Sequence, residues 1–478
     1  MSAEEKILEI FEHIAAIPRA SYHEQQISAM LQTWADERGF KAVTDEAGNL
    51  LIKVKATPGY EQAPTLVLQG HLDMVCEKTP DSTHDFSKDP IRCIVDGEWL
   101  HADKTTLGAD NGIAIALAIA LVEDPEVAHP PLELLFTIEE EIGLGGVAKL
   151  SKDFIKGRTL INLDSEEEGV FMVGCAGGLK SRMHLPITFT MAEPHEVACK
   201  IAIGGLQGGH SGMDINKNRA NANKLLARIL GEIAHSLAFR VAEFRGGSAH
   251  NAIAREAEAL LVFSKKDRAK LDNTLAAFKA VLLDEYAGLE DGLTIQWAEA
   301  HPRRAATDSD SRKITAFLQA LPHGVYKMSA RVPGFVETSN NLATVELTED
   351  GLKALSSQRS MMTSGLMEVT RRIESVAQLA RAEFTRTDHY PAWKPDMSSP
   401  LLERSRRLYE QLFGASPSVE TIHAGLECGQ IGDIYEGIDM LSLGMTIRDP
   451  HSPQERLHIP SINKVWDLMV ALLKSYAV

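Results

Sequence analysis

The chain has 478 residues, of which 44% are hydrophobic and 24% charged, a composition typical of a soluble globular protein long enough for two or more domains. Acidic residues outnumber basic ones by 66 to 49, which gives a net charge of −17. Because such a charge repels phosphate backbones and anionic lipid surfaces, we expect neither nucleic acid nor a membrane as a partner.

Cysteine usage and the apolar segments favour a cytoplasmic protein. The five cysteines are far apart and form no C-x-x-C pair, which argues against a disulfide framework and against a thiolate zinc site. The longest apolar run, residues 112–122, is too short to span a bilayer. Residues 1–17 have the apolar spacing of an amphipathic helix that ends before Pro18, rather than the pattern of a signal peptide.

The first third of the chain alternates between strand-like and helix-like segments. Short apolar runs at residues 65–70, 132–138 and 159–164 predict buried strands. Residues 111–124 are apolar on most sides, which predicts a buried helix. This alternation is typical of an α/β sheet whose strands are covered on both faces.

The middle of the chain has a different pattern and predicts a separate domain. Alternating strands and helices between residues 179 and 392 indicate an α+β insert. After this insert the pattern of the first third resumes. We therefore predict an α/β fold with a discontinuous sheet domain, residues 1–178 and 393–478, flanked by helices and interrupted by a large α+β domain, residues 179–392.

Acidic residues and a histidine follow the predicted strands and precede the predicted helix. His71 and Asp73 come directly after the first strand, Glu139–Glu141 follow the second, and Asp164 follows the third. Asp110 precedes the apolar helix. Because ligands of open α/β sheets bind beyond the carboxyl ends of the strands, these side chains are candidates for one site.

The residue types at these positions indicate a metal site. Adjacent carboxylates at the end of a buried strand repel one another unless a cation neutralises them. Imidazole and carboxylate ligands without thiolate suit zinc, with manganese or cobalt as alternatives. They are too many for one tetrahedral ion and fit two ions that share a carboxylate. His451 is the preferred second imidazole because it lies nearer the last short strand than its competitor, His458.

Eight motifs resemble those of a known enzyme family. The chain resembles the cocatalytic dizinc metallopeptidases that include aminoacylases, carboxypeptidase G and tripeptidases, and within them it is most similar to dipeptidases. The matching stretches occur in family order and span nearly the whole chain: LQGHLDMV, TTLGADNGIAIALA, TIEEEIG, NLDSEEEG, GLQGGHSGMDI, GGSAHNAIAREA, HAGLECG and DPHSP. The resemblance implies a zinc-carrying sheet domain, an inserted lid domain and a homodimer.

The resemblance also implies a set of ligands for two Zn²⁺ ions per chain, with Co²⁺ or Mn²⁺ as alternatives. It implies that His71 and Asp164 bind one ion and that Glu141 and His451 bind the other. Asp110 would bridge the two ions.

Further roles follow from the same resemblance. Asp73 would hydrogen-bond to His71 and orient it, a role that agrees with its spacing of two residues. Glu140 would be the general base, and Glu139 would be an extra acid directed away from the ions. His210, among glycines in the insert, would hydrogen-bond to the oxyanion when the lid closes.

Four residues resemble the substrate-binding residues of the family. Asn251 and Arg359 would bind the substrate, and Arg359 suits the terminal carboxylate of a peptide. Gly425 and Glu427 would face the free amino group of a dipeptide.

We therefore expect a hydrolase for small, unblocked dipeptides, including Xaa-His dipeptides. One alternative is an aminoacylase or carboxypeptidase that acts on N-acyl amino acids. Another is a catalytically silent, metal-binding scaffold, although the presence of both the base and the ligands argues against it.

Overall fold

A computed structural model describes residues 2–477, which group into two compact units. The first unit runs to Cys175 and continues over Trp393–Thr421 and from Leu426 onward. The second unit comprises Ala176–Ala392 and the short segment Ile422–Gly425. None of the helices in the described part of the chain combines the length and the apolar character that a bilayer crossing requires.

The described residues form helices in both units. They are α1 Ala3–Ala15, α2 Gln25–Glu37, α3 Ala109–Glu123, α4 Ala222–Ser236, α5 Arg268–Glu285, α6 Asp308–Ala320, α7 Thr363–Ala380, α8 Pro400–Phe413, α9 Glu427–Ile434 and α10 Ile459–Lys474. Short 3₁₀ turns lie at Val147–Lys149, Ile215–Lys217 and Lys265–Asp267.

The strands form one large sheet in each unit and two small sheets. They are β1 Lys41–Thr44, β2 Leu50–Val54, β3 Leu66–His71, β4 Cys93–Asp96, β5 Trp99–Ala102, β6 Leu132–Thr137, β7 Thr159–Asn162, β8 Val170–Cys175, β9 Gly177–Leu185, β10 Phe189–Met191, β11 Glu196–Gly204, β12 Phe239–Gly246, β13 Ala257–Ser264, β14 Thr294–Ala300, β15 Arg304–Ala306, β16 Gly324–Met328, β17 Val336–Thr348, β18 Gly351–Ser360, β19 Glu383–Tyr390, β20 Ser418–Ile422, β21 Asp439–Ser442, β22 Ile447–Arg448 and β23 Arg456–His458.

The first unit is built on an eight-stranded sheet in the order β1-β2-β6-β3-β7-β21-β8-β20. Its centre is parallel, because β3 pairs in parallel with β6 and β7, and β21 pairs in parallel with β7. Every residue of β3 and β6 is buried, which explains why both strands are apolar runs without alternation. A four-stranded sheet, β22-β23-β5-β4, completes this unit.

Helices α1, α3 and α10 pack together in the core of the first unit. Helix α3 is buried on nearly all sides, so its continuous apolar composition needs no polar face. Helix α1 begins with a capping box, in which the Glu5 backbone N–H donates to Ser2 Oγ and the Ser2 N–H donates to Glu5 Oε2. Ile7, Phe11 and Ile14 of this helix are buried, as expected for the amphipathic first helix predicted from the sequence.

The second unit contains a nine-stranded antiparallel sheet and helices α4 to α7. The sheet order is β14-β11-β13-β12-β17-β18-β9-β19, with β16 also paired to β17. Helices α4 to α7 pack in one apolar cluster with the buried residues of these strands. The α/β sheet domain and the α+β insert predicted from the sequence are thus confirmed.

Candidate metal centre

The parallel strands of the first unit bring the candidate ligands to one edge of the sheet. Strand β3 ends at His71, β6 ends just before the three glutamates, and β7 ends just before Asp164. Asp110 lies in the first turn of α3. Because β3 pairs in parallel with both β6 and β7, their carboxyl ends coincide, as the position of a ligand site in an open α/β sheet requires.

The carboxylate of Asp110 lies between two imidazoles. Asp110 Oδ1 is 3.0 Å from His71 Nε2, and Asp110 Oδ2 is 3.1 Å from His451 Nε2. A second carboxylate accompanies each imidazole: Asp164 Oδ1 is 3.4 Å from His71 Nε2, and Glu141 Oε2 is 3.0 Å from His451 Nε2. The five side chains therefore form two sets of donors that share Asp110.

The donor set fits divalent metal ions. Single donor atoms of His71, Asp110 and Glu141 all lie within 4.8 Å of one another. Glu141 Oε1 is buried without a hydrogen-bond partner, which is costly for a carboxylate oxygen unless a cation binds it. Nitrogen and oxygen donors without sulfur suit zinc, manganese or cobalt. These residues can therefore hold metal.

The ionisation of the site reflects crowded, buried charge. Burial raises the pKa of Asp164 to about 6, although His71 opposes the shift. Hydrogen bonds that the ring donates to the carboxylates of Asp110 and Glu141 raise the pKa of His451 to about 11. Burial also raises the pKa of Glu140 well above its usual range, with nearby carboxylates adding to the effect and His71 opposing it. Such shifts are typical of functional sites.

Asp73 contacts both the first imidazole and the glutamate segment. Its Oδ1 lies 3.3 Å from His71 Nδ1, so it faces the ring nitrogen opposite to the one near Asp110. The same carboxylate accepts the backbone N–H groups of Glu140 at 3.1 Å and Glu141 at 3.2 Å, and the hydroxyl of Ser21 at 2.7 Å. Asp73 therefore fixes an imidazole and two neighbouring glutamates at once.

Glu139 and His458 lie outside this arrangement. Glu139 has a left-handed backbone, with φ of 54°, and its Oε2 lies 3.6 Å from Lys149 Nζ. His458 Nε2 is 3.8 Å from a Glu98 carboxylate oxygen, and its ring is tilted by 52° against that of Trp99, with the centroids 4.9 Å apart. The imidazole that faces Asp110 is that of His451.

A buried polar network beneath the site was not anticipated from the sequence. Glu427 Oε2 accepts hydrogen bonds from Gln69 Nε2 at 2.6 Å and from Thr137 Oγ1 at 2.8 Å, while Oε1 is buried without a partner. Asn162 Nδ2 donates to Gln69 Oε1 at 2.6 Å. Burial raises the pKa of Glu427 to about 8. Polar residues inside apolar strands, such as Gln69 in LVLQGH, were the signal for this network.

In the second unit, the segment that carries His210 is held in a defined geometry. The His210 backbone N–H donates to Asp214 Oδ2 at 2.8 Å, and the Met213 backbone N–H donates to His210 Nδ1 at 3.1 Å. Burial, together with the charge of Arg359, lowers the pKa of His210 to about 4. The Asn251 carbonyl accepts the Ser211 N–H at 2.7 Å, so Asn251 lies beside the His210 segment.

Arg359 lies in the same unit and has one buried guanidinium nitrogen without a hydrogen-bond partner. It is only 7% exposed, Nη1 donates to the Tyr390 hydroxyl at 3.1 Å, and Nε has no hydrogen-bond partner. A Cβ atom added at Gly425 would lie 3.0 Å from the Tyr390 ring, so a glycine allows this close packing. His423, which the sequence did not single out, is also buried here and contacts Ser339 Oγ through Nε2 at 2.8 Å.

Comparison with known proteins shows a full-length match to dipeptidases. The chain is 40% identical over 467 residues to the cytosol non-specific dipeptidase of Escherichia coli strain K12, covering 98% of this chain and 96% of that protein. The crystal structure of aminoacylhistidine dipeptidase from Vibrio alginolyticus matches with a TM-score of 0.92 and 40% identity, over 98% of this chain and 96% of that one. The dipeptidase resemblance predicted from the motifs is confirmed.

Two further matches concern the fold and one segment. A tripeptidase structure from Staphylococcus aureus matches with a TM-score of 0.57 and 17% identity over 99% of this chain and 98% of that one, a likeness of fold. Residues 201–290 match a family described as a peptidase dimerisation domain. By its full-length identity to the dipeptidases, the chain belongs to the M20 family of metallopeptidases.

Proposed function

We propose that this chain is a metal-dependent dipeptidase that hydrolyses unblocked dipeptides, including Xaa-His dipeptides. The observation that carries the proposal is the carboxylate of Asp110 between His71 and His451, at 3.0 and 3.1 Å, with a further carboxylate beside each imidazole. The names of the two 40% identical relatives support the choice of dipeptides as substrates.

The proposed cofactor is a pair of Zn²⁺ ions per chain, which Co²⁺ or Mn²⁺ can replace. His71 and Asp164 would hold one ion, Glu141 and His451 the other, and Asp110 both. Such a pair would polarise the carbonyl of the scissile bond and make a water molecule more acidic. The pairing of donors around the two oxygens of Asp110 supports this assignment.

Glu140 is the proposed general base. It is next to the proposed ligand Glu141, and its backbone N–H is fixed by Asp73 at 3.1 Å. Burial raises its pKa, which makes the carboxylate a better proton acceptor. Glu140 would take a proton from the attacking water and pass it to the departing amine nitrogen.

His210 is the proposed donor to the oxyanion of the tetrahedral intermediate. Because the Met213 N–H donates to Nδ1, that nitrogen is an acceptor, and the proton of the neutral ring lies on Nε2. The lowered pKa keeps the ring neutral near pH 7. A neutral imidazole that carries its proton on Nε2 can donate a hydrogen bond from that nitrogen to developing negative charge.

Arg359, Asn251 and Gly425 are proposed to bind the substrate. A buried guanidinium without a carboxylate partner among the described residues favours an anionic ligand, and the terminal carboxylate of a dipeptide supplies one. Asn251 lies beside the His210 segment, and Gly425 packs against Tyr390, which contacts Arg359.

Glu427 is proposed to distinguish a free amino group from an acylated one. Its Oε1 is buried and has no hydrogen-bond partner, so it can accept from an ammonium group. We expect Glu427→Gln to reduce kcat/KM for a free dipeptide more than for its N-acetylated form. A different result would indicate an aminoacylase or carboxypeptidase: the wild-type enzyme would have a higher kcat/KM for N-acetylated substrates, and Glu427→Gln would lower kcat/KM equally for free and N-acetylated dipeptides.

Metal analysis combined with a dipeptide panel tests the proposal directly. We expect two zinc ions per chain, hydrolysis of Xaa-His and other free dipeptides, loss of activity after chelation and recovery when Zn²⁺, Co²⁺ or Mn²⁺ is added back. A chain that binds metal but cleaves no member of the panel would be a silent scaffold and would overturn the proposal.

We also propose that the enzyme is a cytoplasmic homodimer. The match of residues 201–290 to a peptidase dimerisation domain supports the dimer, and the five free thiols fit a reducing compartment. Light scattering coupled to size-exclusion chromatography should give about twice the chain mass of 52.3 kDa. Cell fractionation tests the location.

A further inference from the structure

A single buried carboxylate holds the turn that precedes α3. Glu455 is 2% exposed, and both of its oxygens accept backbone N–H groups. Oε2 accepts from Leu107 at 2.8 Å and Gly108 at 3.0 Å, and Oε1 accepts from Ala109 at 2.8 Å and Asp110 at 3.3 Å. Four consecutive N–H groups therefore point at one side chain that is distant in the sequence.

The opposite side of the same turn is held by a buried arginine. The Arg19 guanidinium, 1% exposed, donates to the carbonyl oxygen of Gly108. It also donates to the carbonyl oxygens of Leu72 at 2.9 Å and Asp73 at 2.8 Å. Arg19 thus joins the turn before α3 to the segment that follows β3.

Two glycines make this close approach possible. A Cβ atom at Gly108 would lie 2.6 Å from Arg19 Nη2, and a Cβ atom at Gly112 would lie 2.7 Å from the same nitrogen. Gly108 also has a left-handed backbone, with φ of 73°. The glycines of the GADNG motif therefore give Arg19 room rather than simply forming a turn.

The two buried charges complement each other. Burial lowers the pKa of Arg19, and Glu455 is the foremost of the negative groups that act against that shift, followed by Asp73 and Asp110. A buried ion is costly unless charged and hydrogen-bonding partners compensate it. Glu455 contributes to that compensation for Arg19, whereas the backbone N–H groups of the turn compensate Glu455.

The segments joined in this way carry three proposed ligands. Glu455 lies four residues after His451, and its own N–H donates to the Ser452 carbonyl at 3.0 Å, which closes the turn between them. We propose that Glu455 and Arg19 are positioning residues, which set the separation of His71, Asp110 and His451 before metal binds. This inference rests on the proposed metal site.

Three variants test this inference. Glu455→Gln keeps the size of the side chain but replaces one acceptor oxygen with an NH₂ group that faces backbone N–H donors. Arg19→Lys keeps the charge but cannot donate to three carbonyls in a fixed fork. Glu133→Gln is the matched control, because Glu133 is also buried in the first unit and accepts two backbone N–H groups, from Lys156 and Gly157, at the far end of β6.

The measurements are the affinity of each folded apo-protein for Zn²⁺, by competition with a chromophoric chelator, and the visible absorption of the Co²⁺-loaded protein. We expect Glu455→Gln and Arg19→Lys each to weaken metal binding by about tenfold or more, as loss of groups that orient metal ligands does, and to alter the cobalt spectrum. Glu133→Gln should change neither.

The outcomes separate the inference from the proposed function. If wild-type protein binds two ions but the Glu455 and Arg19 variants match it in affinity and spectrum, the inference is wrong. It is equally wrong if Glu133→Gln weakens binding as much, because the effect would then be general destabilisation. If Glu455→Gln does not fold, Arg19→Lys decides alone. Wild-type protein that binds no metal contradicts the proposed function itself.

Discussion

Asp73 approaches His71 from the side opposite the proposed ions, with Oδ1 3.3 Å from Nδ1. A carboxylate in this position fixes the ring orientation and makes the other nitrogen a stronger donor to metal. We therefore predict that Asp73→Asn weakens zinc binding by about 10- to 100-fold. Equilibrium competition with a chelator measures this, with the exposed Asp81→Asn as control. Unchanged affinity would show that His71 does not need the charge of Asp73.

Glu140 and Glu139 offer a matched pair of variants on adjacent residues. Because only Glu140 is proposed to move a proton, Glu140→Gln should lower kcat by about 10²- to 10⁴-fold while metal content stays at the wild-type level. Glu139→Gln should keep wild-type turnover, since its side chain lies near Lys149. Steady-state kinetics and metal analysis of both variants decide. Equal losses in the two would contradict the assignment of the base.

The hydrogen bond from Met213 to His210 predicts both a tautomer and a kinetic effect. In ¹⁵N NMR spectra at pH 7, the ring of His210 should be neutral with its proton on Nε2. His210→Ala should lower kcat by about 10²- to 10³-fold with little change in KM, because an oxyanion donor acts mainly in the transition state. The exposed His195→Ala is the control. A change in KM alone would instead indicate ground-state binding.

Arg359 should affect the binding of substrates that carry a terminal carboxylate. Hydrogen bonds to charged groups contribute about 1.5–3 kcal/mol, so Arg359→Met should raise KM for a dipeptide by roughly 10- to 150-fold. The KM for the corresponding dipeptide amide should change little. Arg386→Met, which removes an exposed arginine of the same unit, is the control. Equal effects on acid and amide would argue against carboxylate recognition.

His423 predicts how stability depends on pH. Burial, with smaller effects of Arg359 and His210, lowers its pKa to about 3 in the folded chain, whereas an unfolded chain has a histidine pKa of about 6.5. Between these values the unfolded chain binds the extra proton. The free energy of unfolding therefore rises with pH in this window, by up to about 1.4 kcal/mol per pH unit. The stabilising contribution of His423 is fully present above about pH 6.5 and is lost as the pH falls towards 3.

Removal of His423 should flatten this dependence. Urea denaturation of His423→Gln and of wild-type protein from about pH 4.5 to 7.5 should show a smaller slope in the variant, because the group that protonates on unfolding is gone. The exposed His195→Gln should keep the wild-type slope. Parallel curves for His423→Gln and wild-type protein would mean that the buried imidazole does not control this window.

The strand ends of the first unit were predictable because hydrophobic periodicity is a local property of the sequence and alternating strands and helices are typical of a parallel sheet. Apolar runs ending at His71, Thr137 and Asn162 mark buried parallel strands, and parallel strands place their carboxyl ends at one edge. The choice of His451 over His458 followed from its distance to a strand end. In the structure, the imidazole of His451 faces Asp110.

The groups that support the site could not be predicted in the same way. Arg19 and Glu455 are separated by most of the chain, and each forms hydrogen bonds with backbone atoms. Because every residue type has these backbone groups, the sequence does not show which residues the two side chains contact. In the sequence Gln69 is an isolated polar residue in an apolar strand, and only the folded chain shows that it donates a hydrogen bond to Glu427 of the distant helix α9. Tertiary hydrogen bonds of this kind need the folded chain.

The second unit is assembled from two stretches of chain, because Ile422–Gly425 belongs to it although most of it ends at Ala392. An excised fragment of residues 176–392 would therefore lack His423, and Ser339 Oγ would lose the imidazole it contacts at 2.8 Å. The Tyr390 ring would also lose its packing contact with Gly425. A chimera that exchanges this unit between related peptidases must consequently exchange the four residues Ile422–Gly425 together with Ala176–Ala392.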